Sequence, residues 1–290
     1  MSDEANGCGP ILCAHLLRRV DGELIRLLES LTLPEWELQT IAPRWKVRDV
    51  AAHLLDTALR KLSLVRDSCY VKGGEAGSPE ELIAFVNRLN DEGVIVYRRL
   101  SPRVLTGLMK MASEESAAFH ESLDPFARAV FNVSWAGEDE SLNWFDTARE
   151  LTERWHHQQQ IRLAANRPGI MTRELYHPVL DCFLRGIPNL YRSVNAPAGT
   201  AILIEISGDC GGKWFLEKRN ESWAFAPAST SWTARVVIPQ ELAWRMFTKG
   251  ISRETARAQV TIEGVTLEGV TLEGVQDLGE KIFHFTAIVG

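Results

Sequence analysis

From Ile11 to Ala165 apolar residues recur every three or four positions, and beyond Pro168 that rhythm gives way to short β-rich runs. This switch of period constrains the fold more than any other feature, because a helix and a strand each need their own spacing to bury one face. Ile11 to Thr32 carries Leu17, Val20, Leu24, Leu27 and Leu28 at helical spacing, and Leu33-Pro34 ends it. A second helix runs from about Trp45 through VRDVAAHLLDTALRKLSLV, and Gly73, Gly74 and Gly77 mark a loop after it. Ser78-Pro79-Glu80-Glu81 and Ser101-Pro102 are helix starts: a capping hydroxyl, then proline at the first turn. A last long helix covers Leu142 to Ala165. Four or five long helices make a bundle the expected architecture for residues 1–170.

Residues 171–290 are expected to form a smaller α+β domain. Arg173 to Tyr191 reads as mostly helical, broken or bounded at Pro178 and Pro188, and Pro239 to Met246 as another helix. Strands are expected at Ala201–Ile206, Lys213–Lys218, Ser222–Ala226, Ala234–Ile238, Ala258–Ile262 and Lys281–Val289. Val260 to Gly274 holds three near-identical units, VTIEG, VTLEG and VTLEG. A five-residue shift exchanges the two faces of a strand, so the run reads as a tandem duplication lengthening a loop or hairpin.

Composition narrows the function. The net charge of −6 argues against a protein that tracks nucleic-acid phosphates. No apolar run approaches the ~20 residues that span a bilayer, and the acidic start MSDEANGCGP does not read as a secretory signal. Five cysteines at irregular spacing argue against a disulfide framework. A cytoplasmic protein acting on a small molecule is expected.

The best chemical constellation is Glu153-Arg-Trp-His156-His157. Glu153 and His157 stand one helical turn apart, where a carboxylate and an imidazole can chelate one divalent ion; His156 offers the i, i+3 alternative. Zinc needs a further protein ligand, and His53, set among apolar residues, is the candidate. On spacing alone, the plainer readings come first: His53 as a core histidine and Glu153–His157 as a solvated pair. Gly208-Asp-Cys210-Gly-Gly212 matches a cysteine version of the nucleophile elbow, but a strand rather than a helix is expected after it, so it reads as a hairpin turn.

The segment Pro43-Arg-Trp45-Lys-Val47-Arg-Asp49-Val50-Ala-Ala-His53-Leu54 resembles the P-x-W-x-V-x-D-V-x-x-H-L segment of the DinB-like superfamily, and more specifically the mycothiol-dependent maleylpyruvate isomerase family. Glu153-x-x-x-His157 is similar to that family's second ligand segment. Ile206-Ser-Gly208, Gly211-Gly212-Lys-Trp214 and Ala243-Trp244-Arg245 resemble its C-terminal domain. The resemblance implies a DinB-like four-helix bundle and an α+β domain. It also implies a divalent ion, zinc first and nickel second, held by His53, Glu153 and His157, with mycothiol or another low-molecular-weight thiol as cosubstrate. Arg245 is the candidate catalytic residue, a bidentate holder of a substrate carboxylate. The expected reaction is thiol-dependent transfer or isomerisation on a small electrophile. The competing readings are a metal-binding protein without turnover and a hydrolase centred on Cys210. Two features depart from the family pattern. Gln160 stands where an acid is usual, and a neutral amide gives weaker electrostatic support; the VT(I/L)EG units replace a short glycine-rich turn.

Overall fold

The computed structural model describes residues 6–69, 78–227, 229, 231–264 and 272–287. The chain divides into two compact units. One comprises Leu12–Phe131 and Leu142–Ile170; the other comprises residues 6–11, Asn132–Ser141 and 171–287.

The first unit is helical, with α1 (Ala14–Ser30), α2 (Val47–Lys61), α3 (Pro79–Tyr97), α4 (Pro102–Ser122) and α5 (Asn143–Ala164). The serine-proline starts work as their chemistry predicts. The Ser78 hydroxyl accepts from the Glu81 amide, and the Ser101 hydroxyl from that of Val104. Asp49 closes the start of α2, its carboxylate accepting from the Lys46 amide at 3.0 Å. Leu24 and Leu28 of α1, Val50 and Leu55 of α2, Met109 of α4 and Ile161 of α5 meet in one core, and α3 lies against α2. Burying each large aliphatic side chain stabilises the fold by roughly 1.5–3 kcal/mol. Beyond Lys61, α2 widens into a π-turn, Leu62–Arg66. The glycine loop expected at Gly73–Gly77 lies outside the described residues.

The second unit holds a mixed sheet in the order β3-β2-β1-β4-β5. Its strands are β1 (Ala201–Ser207), β2 (Gly212–Lys218), β3 (Trp223–Ala226), β4 (Ala234–Pro239) and β5 (Thr261–Gly264). β1 runs antiparallel to β2 and parallel to β4, placing Ile204 opposite Trp214 on one side and Val236 on the other. The helices are α6 (Arg173–Leu184), α7 (Ile187–Tyr191), α8 (Gln240–Phe247), α9 (Arg253–Arg257) and α10 (Leu272–Glu280). The Tyr176 hydroxyl ties α6 to α8: it donates to the Gln240 carbonyl and accepts from the Trp244 amide.

Four expectations are corrected here. Pro178 does not break α6, because near the helix start it forfeits only the bond to the Glu174 carbonyl. Lys281–His284 is a 3₁₀ turn rather than a strand; Ile282 within it and Phe285 just after it are buried at a spacing of three. β5 starts at Thr261 rather than Ala258, behind the short helix α9. The repeats are not one kind of structure: the first supplies β5, Leu272–Gly274 opens α10, and the middle unit lies outside the described residues. No described helix is long and apolar enough to cross a membrane.

Candidate metal centre

His53 lies midway along α2 and is buried at 4% exposure. Glu153 and His157 lie one turn apart on α5. The two helices bring these residues together although about a hundred positions separate them in sequence: one donor atom from each falls within 4.8 Å of the others. The His53 and His157 ring centres are 4.6 Å apart at a steep angle, and Trp45 covers both rings, at 4.6 Å and 5.7 Å.

The donor set suits a divalent cation. Ligand atoms about 2.0–2.2 Å from a tetrahedral ion lie roughly 3.3–3.5 Å from one another, and His157 Nε2 is 3.5 Å from Glu153 Oε2. His53 Nδ1 is buried with no hydrogen-bond partner. Such an atom carries a desolvation cost that a ligand, an ion or a water would offset. Burial and the neighbouring His157 ring push His53 well below the ordinary histidine range, which keeps it neutral as a metal ligand requires. Burial alone would raise the Glu153 carboxyl. Its contact with His157, with His156 and Arg149 nearby, outweighs that and holds it ionised well below the usual carboxylate range.

The rings are oriented differently. His157 Nδ1 donates to Gln160 Oε1 at 3.0 Å, leaving Nε2 to face Glu153. His156, its ring centre 4.0 Å from that of His157, is bonded through Nδ1 to the Thr152 carbonyl of its own helix. His156 is therefore tethered to α5, and the grouped donors are those of His53, Glu153 and His157.

Behind Glu153 lies a pocket with room for about one water, lined by Asp21, Thr57, Ser113, Glu150, Glu153 and Arg154 among others. It borders a buried charge network that the sequence reading missed. Lys61 pairs with Asp146 at 2.5 Å, Arg154 pairs with Asp21 and donates to Ser116, and Glu150 stands 3.8 Å from both Lys61 and Arg154. No local pattern announced it: Asp146, Arg149, Glu150, Glu153 and Arg154 fall at i, i+3, i+4, i+7 and i+8, one face of one helix, which is also how a solvated charged face reads.

Arg245 and Cys210 belong to the second unit. Arg245 is on α8, its guanidinium 5.7 Å from the Trp244 ring. Cys210 is buried in the turn between β1 and β2; Gly208 takes φ 108° there. A strand follows, so the elbow geometry is absent, as its sequence context indicated.

The helical unit thus gathers two imidazoles and a carboxylate from two helices into a candidate metal centre. The family model described as the mycothiol maleylpyruvate isomerase N-terminal domain matches residues 17–162, just over half of the chain, and the chain belongs to that family. A crystal structure of a histidine-to-alanine mutant of the mycothiol-dependent maleylpyruvate isomerase is similar in fold. Its TM-score is 0.52 at 13% identity, over 88% of this chain and 93% of the other. A second crystal structure of the mycothiol-dependent maleylpyruvate isomerase gives 0.48 at 14% identity over the same shares. No curated protein matches this chain in sequence.

Proposed function

We propose that this chain is a divalent-metal-dependent enzyme that activates a low-molecular-weight thiol, mycothiol or a relative of it, for isomerisation or transfer on a small electrophilic substrate. The observation that carries the reading is the meeting of His53, Glu153 and His157 across α2 and α5. Zinc, or nickel in its place, would be held by those three side chains. It would favour the thiolate of a bound thiol, whose free pKa is ~8.5, or would ionise a water.

The chain's own residues supply the rest. Neutral His53 and ionised Glu153 present lone pairs rather than protons to the site. Trp45 excludes water from the imidazole faces that it covers. Arg245 is the proposed holder of a substrate carboxylate. A cytoplasmic setting, where low-molecular-weight thiols keep cysteines reduced, belongs to the same reading.

Metal analysis of purified protein tests the proposal. About one zinc or nickel per chain is expected in the wild type and little in His53→Ala. Consumption of a maleylpyruvate-type electrophile should require added thiol and stop on chelation. Arg245→Lys should raise KM while leaving the metal content unchanged. Metal bound without thiol-dependent turnover would mark a binding protein instead. Equal metal in wild type and His157→Ala would remove the site.

A further inference from the structure

We propose that Gln160 is the positioning residue of this site. It fixes the ring and tautomer of His157, and its neutral amide leaves that imidazole a weaker donor than a carboxylate at the same place would. The inference rests on reading His53, Glu153 and His157 as a ligand set.

An imidazole that offers one nitrogen to a cation must carry its proton on the other. In His157 the second nitrogen is Nδ1, 3.0 Å from Gln160 Oε1. Gln160 is only 5% exposed, so water competes little for that bond. The residues are three apart on α5, so the helix itself keeps acceptor and ring in register. The other rings lack such support. His53 Nδ1 has no hydrogen-bond partner, and His156 is tied to a main-chain carbonyl. Of these three rings, that of His157 is the one hydrogen-bonded through Nδ1 to a side chain that substitution can change.

The strength of that acceptor sets how much electron density the ring passes on. A bond to a charged carboxylate is roughly twice as strong as one between neutral groups. It pulls harder on the Nδ1 proton and makes Nε2 more basic. A carboxamide leaves the ring closer to free imidazole. A cation held by such a ring keeps more of its positive charge for a further ligand and is itself held less tightly. The residue at 160 thus trades retention of the ion against its power to polarise what binds beside it.

The test uses the full chain, stripped with a chelator and titrated with Zn²⁺ or Co²⁺ against a competing chelator at mildly alkaline pH. Gln160→Leu should lose about 10- to 100-fold in affinity. Gln160→Glu should bind tighter than the wild type, by up to about tenfold, and the Co²⁺ absorption bands should shift between wild type and Gln160→Glu. Urea midpoints of the stripped proteins should agree, which separates positioning from loss of fold. Affinities that agree within about twofold across the wild type and both variants, with unshifted cobalt bands, would overturn the role of Gln160 while leaving the ligand set standing. A wild type that binds neither ion, or a His53→Ala variant that binds as well as the wild type, would overturn the ligand set and this inference with it.

Discussion

At the scale of single residues, the bundle interior holds groups whose titration opposes one another. His120 of α4 is buried, with Nδ1 3.1 Å from the Thr147 hydroxyl and Nε2 lacking a partner. Burial pushes its pKa down to about 4, and the nearby Glu150, Lys61, Arg154 and Asp146 leave it there. A depressed imidazole adds stability above its unfolded value of ~6.5, and that stability is lost as pH falls through about 4. His156, also at about 4, acts in the same direction. Asp21 does the reverse. Burial raises its carboxyl to about 6 against the pull of Arg154, so its contribution is full below ~3.9 and is lost as pH rises through about 6. Urea unfolding measured across this acid window should show the wild type weakening on acidification. The slope should be shallower in His120→Asn and steeper in Asp21→Asn, and parallel slopes in all three would show that neither group titrates as described. The three side chains of the candidate centre could be picked out in the sequence because two of them share a helical face and the third sits in a specific motif. The partners of His120 and Asp21 were not, because no local pattern states which charges will meet across a bundle.

At the scale of elements, α2 and α5 decide the site, and α2 depends on how it begins. Asp49 accepts from the Lys46 amide one turn before His53, and its other oxygen lies 3.2 Å from Arg98. Removing a cap of this kind costs about 1 kcal/mol, up to about 2. Asp49→Ala should lower the unfolding free energy by that amount and weaken metal binding, since a frayed first turn leaves His53 less fixed; Asp49→Asn should retain most of both. An unchanged midpoint in Asp49→Ala would mean that packing alone starts the helix. The starts of α3 and α4 were legible for the same local reason, a serine before a proline. The repeats mark where local reading fails. Near-identical pentapeptides contribute to β5 and to α10, so β4 on one side and helix packing on the other override the sequence's own preference. α9 was missed although Ser252 caps it, because five residues are too few to show a period.

At the scale of the whole molecule, the chain threads through two compact units, and the second draws on residues 6–11 and Asn132–Ser141 besides the C-terminal part. Hydrophobic period separates helices from strands but does not show which unit claims a short segment, so these two pieces were not legible in the sequence. The candidate centre lies wholly within the helical unit, since α2 and α5 both belong to it. An ion that binds only the folded bundle stabilises it by mass action, by about 2.7 kcal/mol at a hundred times its Kd. Because the ligands sit on two helices far apart in sequence, the gain falls on openings that separate α2 from α5. Hydrogen exchange followed by mass spectrometry should therefore show slower exchange on adding Zn²⁺ in peptides from α2 and α5. β1, β2 and β4 should be little changed, and the effect should be absent in His157→Ala. Slowing confined to the sheet, or equal slowing in His157→Ala, would place the ion somewhere other than between these two helices.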